Sequence, residues 1–381
     1  MIALEIVFWL CATLIVWTQV GYAATLAVLA RAFGRTQPIA VPEPPPSLSL
    51  IVAAHDEESV IAARVANALA LDYPRELLEV IVTCDGCTDA TAARAREAGA
   101  DVVLELERGG KIRAQDAAVE RARGEIVAFS DANALWEPDA ARMLAGAFAD
   151  PRVGYACGQV RFTQAAAGAE GGNQEGVYWR YELAVRSYES RLSSITAGNG
   201  AIYATRRDAY IVVDPIMGHD LSLPFNMVRR GLRATYVPSA RASEKMVPTL
   251  LGEFARKRRM MSHTWPILLR GGMLSPRGYP PDYALMLVSH RLLRYLTPFL
   301  HLLALLANVA LLALGAGALY GVTFALQLAL LLGALLGGVL RLRALLIARY
   351  YVLTTVSSAA GLWDWLRHGT SATWEAAGGT R

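Results

Sequence analysis

The chain carries two kinds of hydrophobic pattern, and they are segregated. Long apolar runs occupy both ends, whereas the middle breaks into short apolar runs separated by polar, helix-periodic stretches. Ile2 to Ala30 holds a single charge, Glu5, and is long enough to cross a bilayer. Arg31 and Arg35 follow at once, which predicts a cytoplasmic location for what comes next. A cleaved signal peptide is the rival reading, but the run lacks a basic start and its apolar core is too long. Thr297 to Leu340 contains no acidic or basic residue except His301, and Gly315-Ala316-Gly317 divides it into a hairpin of two spans. Arg341 and Arg343 then return the chain to the cytoplasmic side. The last apolar stretch, Tyr350 to Leu366, is short and contains Asp364, so a third span and a re-entrant or interfacial helix both stay open. Two amphipathic segments precede the hairpin. Glu253 to Leu269 mixes Arg256, Lys257, Arg258 and Arg259 with Met260, Met261, Trp265 and Ile267, and His290, Arg291 and Arg294 lie among leucines. Basic and aromatic residues together predict helices lying in the membrane interface; a solvated helix face is the plainer alternative.

The middle reads differently. Pro42 to Pro46 is a stiff linker. Leu48 to Ala54 is a continuous apolar run, as a buried parallel strand should be. Leu78 to Cys84, Val102 to Leu106 and Glu125 to Ser130 are further strands. Helical patterns lie between them, one of them capped by Thr88-Asp89. This alternation predicts an α/β domain with a parallel sheet wound by helices, whose ligands bind at the carboxyl ends of the strands. The resulting division is a transmembrane helix at 1–34, a linker at 35–46, the α/β domain at 47–248, amphipathic helices at 249–296 and a transmembrane hairpin at 297–340. Residues 341–381 hold the third span or re-entrant segment and a cytoplasmic tail.

Composition agrees with this division. Hydrophobic residues make up 54% of the 381 and charged residues 18%, an apolar balance that comes from the ends. The net charge of +4 is modest, and its arginines gather near the apolar segments, so they read as topology signals rather than as a nucleic-acid surface. The sparse cysteines (four) give no disulfide framework. Cys84-x-x-Cys87 spans a strand end and a turn without a second such pair, which is weak support for a zinc or redox role.

Candidate chemistry collects at the strand ends. The first ends in His55-Asp56-Glu57-Glu58, the second in Asp85-Gly86 and the fourth in Asp131-Ala132-Asn133. Carboxylates gathered on one edge repel unless a cation or a ligand's donors relieve them. Asp131 and Asn133 fall on one side of the backbone and offer hard oxygen atoms suited to Mg²⁺ or Mn²⁺ carrying a diphosphate. Taken alone, that turn is more often an Asx cap for a helix starting near Glu137-Pro138. Gly109-Gly110-Lys111 opens a helix and offers backbone N–H groups and an ammonium to phosphate, or is a simple loop-to-helix junction. Gly198-Asn199-Gly200 would let a ligand approach the backbone. Asp220, at a helix start, is an N-cap or a general base. No dinucleotide-binding glycine fingerprint follows the first strand, and no G-x-x-x-x-G-K-[ST] loop occurs.

In this order, from Ser47 to Trp265, these residues resemble the membrane-bound family 2 glycosyltransferases, which include the synthases of cellulose, hyaluronan, chitin and poly-N-acetylglucosamine. The resemblance implies a GT-A fold, a Rossmann-like mixed sheet that binds a nucleotide sugar, flanked by N- and C-terminal transmembrane helices. It implies that Asp56 and Glu57 face the nucleotide, that Asp85 holds the uracil or ribose, and that Lys111 lies near the diphosphate. Asp131 and Asn133 stand at the metal motif, Gly198, Asn199 and Gly200 at the acceptor segment, and Asp220 at the general base. Arg256 and Arg259 fall where processive members meet the acceptor chain, and Trp374-Glu375 and Arg381 resemble the tail of some bacterial members. Three departures stand out. Asn133 replaces an Asp and removes one negative charge from the metal site. His219 replaces an acidic residue. Arg256 and Met260 replace a Gln and a Trp, a change that leans toward single transfer rather than processive synthesis.

The implied activity is inverting transfer from a UDP-linked or other nucleotide-diphosphate sugar to a glycan or lipid-linked acceptor, with Mg²⁺ or Mn²⁺. The setting is polysaccharide or glycolipid biosynthesis of the cell envelope. The implied location is the plasma (inner) membrane, multi-pass, with the catalytic domain cytoplasmic and membrane lipids around the helices. Two alternatives accompany it: a single sugar added to a lipid carrier, and a catalytically dead relative serving as a binding or scaffold subunit.

Overall fold

The computed structural model describes residues 1–35, 40–163, 172–245, 250–275, 277–340 and 342–373. The tail residues Trp374, Glu375 and Arg381 lie outside the described residues. The chain starts with α1 (Ile2–Val16) and α2 (Tyr22–Ala32), joined by a π-type turn into one apolar helix. The middle then alternates as its pattern requires: β1 (Leu48–Ala54), α3 (Ile61–Leu69), β2 (Leu78–Asp85), α4 (Thr91–Glu97), β3 (Val102–Leu106), α5 (Lys111–Arg121) and β4 (Ile126–Asp131). There follow β5 (Leu135–Trp136), α6 (Ala140–Gly146), β6 (Val153–Thr163), α7 (Gly172–Leu192), β7 (Tyr203–Arg206), α8 (His219–Arg229) and β8 (Arg233–Lys245). They form one mixed sheet in the order β3-β2-β1-β4-β7-β6-β8-β5. The first four strands run parallel, and β7 lies antiparallel to both β4 and β6. This is the expected fold class. Alternate positions separate the two faces: Leu48, Leu50, Leu78, Val80, Ile126 and Ala128 enter one core, and Ile51, Ile81, Val127 and Phe129 another.

Beyond the sheet lie α9 (Leu250–Leu269), α10 (Pro281–Met286), α11 (Leu293–Ala313), α12 (Ala318–Leu336) and α13 (Arg343–His368). Among the described residues, four helices are long and apolar enough to cross a membrane: Ile2–Ala32, Pro281–Ala313, Ala318–Leu336 and Arg343–His368. Three details differ from the pattern reading. The boundary expected between 296 and 297 falls inside the continuous helix Pro281–Ala313, so His290, Arg291 and Arg294 belong to a candidate span. There His290 and Arg294 turn inward to carboxylates of α7 and Arg291 to the Thr196 hydroxyl, because charge in apolar surroundings needs a partner. The apolar face of α9, expected in the membrane interface, is covered by protein: Trp265, Ile267 and Leu268 pack with Leu221, Phe225, Tyr283 and Trp365. Asp364, the charge that made the last stretch ambiguous, is held bidentately by Arg258 of α9 at 2.6 Å, within a helix of 26 residues.

Candidate active site

The parallel register sets Ala54 beside Cys84 and Ala53 beside Asp131, so the ends of β1, β2 and β4 form one edge. Asp85 is buried there. Its carboxylate accepts the N–H groups of Gly109 at 2.6 Å and Gly110 at 3.0 Å. The sequence left these amides between a phosphate site and a simple loop-to-helix junction; here they fasten the loop to Asp85. Gly110 adopts φ +98°, and the Ala372 carbonyl lies 2.1 Å from where a Cβ would stand, so only glycine fits. Asp56, with φ +50°, is the one described non-glycine residue with positive φ, and its carboxylate accepts the Thr88 N–H at 2.7 Å. Glu57 is buried beneath it, its N–H donating to Thr91 Oγ1 at 2.8 Å. Asp89 caps α4 by accepting the Thr91 N–H at 3.0 Å.

Lys111 opens α5 and pairs directly with Asp131. Burial works against its charge, yet the pull of Asp131, with Asp220 and Glu244 behind it, raises its pKa. A Cβ on Gly200 would lie 3.4 Å from the ammonium and 3.6 Å from Asp131 Oδ2, so this backbone borders the pair. After Asp131 the Ala134 N–H returns to the Asp131 carbonyl at 3.3 Å and the chain enters β5; the expected helix, α6, begins only at Ala140, with Asp139 at its N-cap position. The helix-cap reading of Asp131 and Asn133 therefore does not apply. The donor set suits a hard divalent cation: one carboxylate, here paired with the Lys111 ammonium, and an amide oxygen two residues on. Glu244, near the end of β8, was not singled out from sequence. Burial and the nearby Asp131 push its carboxyl up to about 7, with Lys111 and Arg256 pulling the other way. Its signal was present: it is the single acidic residue of that strand.

The third side of the site is α8. The Asp220 carbonyl accepts the Gly198 N–H at 2.7 Å, which ties the glycine-rich turn to the helix start. Gly198 cannot be larger, since a Cβ would lie 1.9 Å from the Tyr155 hydroxyl. The Asn199 amide is committed to its own turn, donating to the Gly158 carbonyl at 2.8 Å and accepting from Ile202 N–H at 2.9 Å. His219 is buried between Tyr203 and Tyr210 at 2.9 and 3.2 Å. Burial, with Lys111 nearby, lowers its pKa to about 3, so it stays neutral where the resemblance has an acid.

A family model described as glycosyltransferase like family 2 matches residues 44–262. The chain belongs to this glycosyltransferase family. It is 28% identical over 233 residues to an N-acetylglucosaminyltransferase of Rhizobium meliloti (strain 1021), covering 56% of this chain and 54% of that one. It is also 28% identical over 222 residues to the beta-monoglucosyldiacylglycerol synthase of Synechocystis sp. (strain ATCC 27184 / PCC 6803 / Kazusa), covering 51% and 42%. The chain thus spans about half the length of the curated relatives it matches. The mannosyltransferase PcManGT from Pyrobaculum calidifontis, solved with GDP-Man and Mn²⁺, superposes with a TM-score of 0.74 at 21% identity, over 96% of this chain and 99% of that one. That likeness bears on the fold and extends through the apolar helices.

In this family member the apolar helices approach the site through buried charge. Glu189 of α7 accepts from Tyr22 of α2 at 2.7 Å, from Thr196 N–H at 3.0 Å, and contacts His290 at 2.7 Å. Arg291 donates to Thr196 Oγ1 at 2.9 Å, and Arg294 pairs with Glu182. Burial alone would raise the Glu189 pKa, but His290, Arg291 and Tyr22 bring it down to about 2. Thr196 lies two residues before Gly198, so this cluster anchors the start of the turn that meets Asp220. On α9, Glu253 clamps Arg256 at 2.7 and 2.8 Å, Lys257 donates to Tyr350 at 3.2 Å, and Arg259 is exposed. The tail returns as well: Thr370 donates to the Ser262 carbonyl at 2.8 Å, bringing Ala372 over Gly110.

Proposed function

We propose that this chain is an inverting glycosyltransferase that moves a sugar from a UDP-linked or related nucleotide-diphosphate donor to a glycan or lipid-linked acceptor at a membrane. The observation that carries the reading is the setting of Lys111, which pairs with Asp131, feels Asp220 and Glu244, and lies against Gly200. Asp56 and Glu57 border the nucleotide end, and Asp85 fixes the Gly109–Lys111 turn beneath the diphosphate. Lys111 places a positive charge where the leaving diphosphate gathers negative charge. Mg²⁺ or Mn²⁺, held by Asp131 and Asn133, would supply Lewis-acid charge neutralisation there. Asp220 removes the proton from an acceptor hydroxyl, whose oxygen attacks the anomeric carbon as the bond to the diphosphate breaks. The backbone of Gly198 to Gly200 lines the acceptor approach. The apolar helices and the Arg31 and Arg35 flank support a multi-pass protein of the inner membrane with a cytoplasmic catalytic domain.

Screening nucleotide sugars with the purified chain for metal-dependent release of the nucleoside diphosphate tests this. One donor should give release that chelator stops and Asp220→Asn removes. Release indifferent to both would refute the reading, and no release from any donor would favour a scaffold subunit. A single-transfer outcome is favoured by one observation: Arg256, Lys257 and Arg258 are engaged by Glu253, Tyr350 and Asp364. Product length analysis separates single transfer from polymer synthesis.

A further inference from the structure

The edge formed by β1 and β2 holds a second group of ligating atoms apart from Asp131 and Asn133. One ligand atom each from His55, Asp56 and Cys87 lie within 4.8 Å of one another, and all three residues are half-buried. Their chemistry is mixed: an imidazole, a carboxylate and a thiol. We propose that His55, Asp56 and Cys87 form a binding site for a Zn²⁺-class ion beside the donor pocket, distinct from the hard-oxygen site at Asp131.

Three features support it. First, the His55 tautomer suits ligation. Nδ1 lies 2.7 Å from the Asp85 carbonyl, which can only accept, so Nδ1 carries the proton and Nε2 presents its lone pair. A ligating histidine whose other ring nitrogen donates to a backbone carbonyl is the usual arrangement in metal sites. Second, the Asp56 carboxylate is aimed. Its φ of +50° and the Thr88 N–H at 2.7 Å hold it 3.5 Å from His55 Nε2, and one hydrogen-bonded carboxylate oxygen can still coordinate. Third, little movement is needed. Tetrahedral zinc with bonds of about 2.0–2.3 Å spaces its ligand atoms roughly 3.3–3.8 Å apart, so a shift of about 1 Å closes the group. Cys87 Sγ lies 3.6 Å from the Ala54 carbonyl and would release its proton to solvent on binding. A thiolate with an imidazole selects Zn²⁺ or Co²⁺ over Mg²⁺ and Mn²⁺, and water can take the fourth position.

The site adjoins Asp85 and the Gly109–Lys111 turn, so its ion would compete with the donor; that consequence rests on the sugar-transfer reading, whereas binding itself does not. Titration of the purified full chain with Co²⁺, in excess Mn²⁺, reads the site without activity. One equivalent should give a thiolate-to-cobalt charge-transfer band that Zn²⁺ bleaches. Cys87→Ser should abolish the band, His55→Gln should weaken affinity tenfold or more, and Cys84→Ser and Cys157→Ser should keep it. Size-exclusion profiles and thermal midpoints confirm that the variants fold. No band, or a band that survives Cys87→Ser, overturns the site. A band lost equally in Cys84→Ser and Cys87→Ser assigns the metal to the cysteine pair and also overturns it. Where transfer is measurable, Zn²⁺ should raise the donor KM in wild type, at concentrations at least tenfold below those needed with Cys87→Ser. An unchanged KM with a normal band refutes the competition alone.

Discussion

Charge is handled in opposite ways at the strand-end edge and at the junction of α7 with the apolar helices. At the edge, Lys111 and Asp131 keep 24% and 32% of their side chains exposed, and Asp220 and Asn133 are partly open. At the junction, Glu189, His290, Thr196 and Tyr22 are almost wholly buried and bond to one another. The first arrangement leaves interaction energy for a ligand to complete. The second has used it within the fold, where removing one partner strands the others. On the proposed reading the edge serves the chemistry, while the junction holds the α/β domain to its apolar helices.

The sharpest break in this comparison would come from the edge. Asp220→Asn should lower kcat by about 10²–10⁴-fold while the donor KM changes little, measured as nucleoside diphosphate release. A wild-type rate would remove Asp220 from proton transfer. At the junction the loss should appear as stability: Glu189→Ala should cost about 3–5 kcal/mol, read from the thermal midpoint in detergent. An unchanged midpoint would mean that the junction holds nothing together.

The same cluster predicts a pH dependence. The folded-state pKa of Glu189 is depressed from its ordinary 4.5 to about 2. Its stabilisation is thus fully present above about pH 4.5 and is lost as pH falls toward 2. The gap in midpoint between wild type and Glu189→Gln should narrow over that window; a constant gap would sink the assignment. Gly198→Ala should cost about 1–3 kcal/mol, because its methyl meets the Tyr155 hydroxyl, and should slow transfer by displacing the turn at Asp220. The smallest stability effect belongs to Lys111→Met, which should change stability by less than about 1 kcal/mol although it impairs turnover. A large loss there would make the edge structural, like the junction.

Much of this was legible because the relevant signals are local. The continuous apolar run of β1 specified a strand buried on both faces, β2 followed as the next strand, and the acidic groups after them had to emerge on one edge. Glu244 stood out only as the single acidic residue of its strand; its place beside Asp131 depends on β8 bringing it there from far along the chain. Nor could the sequence tell that the Gly109 and Gly110 amides would serve Asp85 rather than a phosphate. His219 looked like a lost acid; only the packing of Tyr203 and Tyr210 shows a neutral bridge.

By itself the sequence determined the α/β alternation, the segregation of apolar ends from a charged middle, and the order of the site residues, since periodicity and run length act through near neighbours. Tertiary structure decided what each charged side chain faces. It turned His290 and Arg294 inward to α7 and Arg291 to Thr196, covered α9 with α13, and set the short strand β5 between Asn133 and the helix that follows. It also set His55, Asp56 and Cys87 together. Those outcomes depend on which distant surfaces exclude water from a charge, and that is fixed only when the whole chain packs.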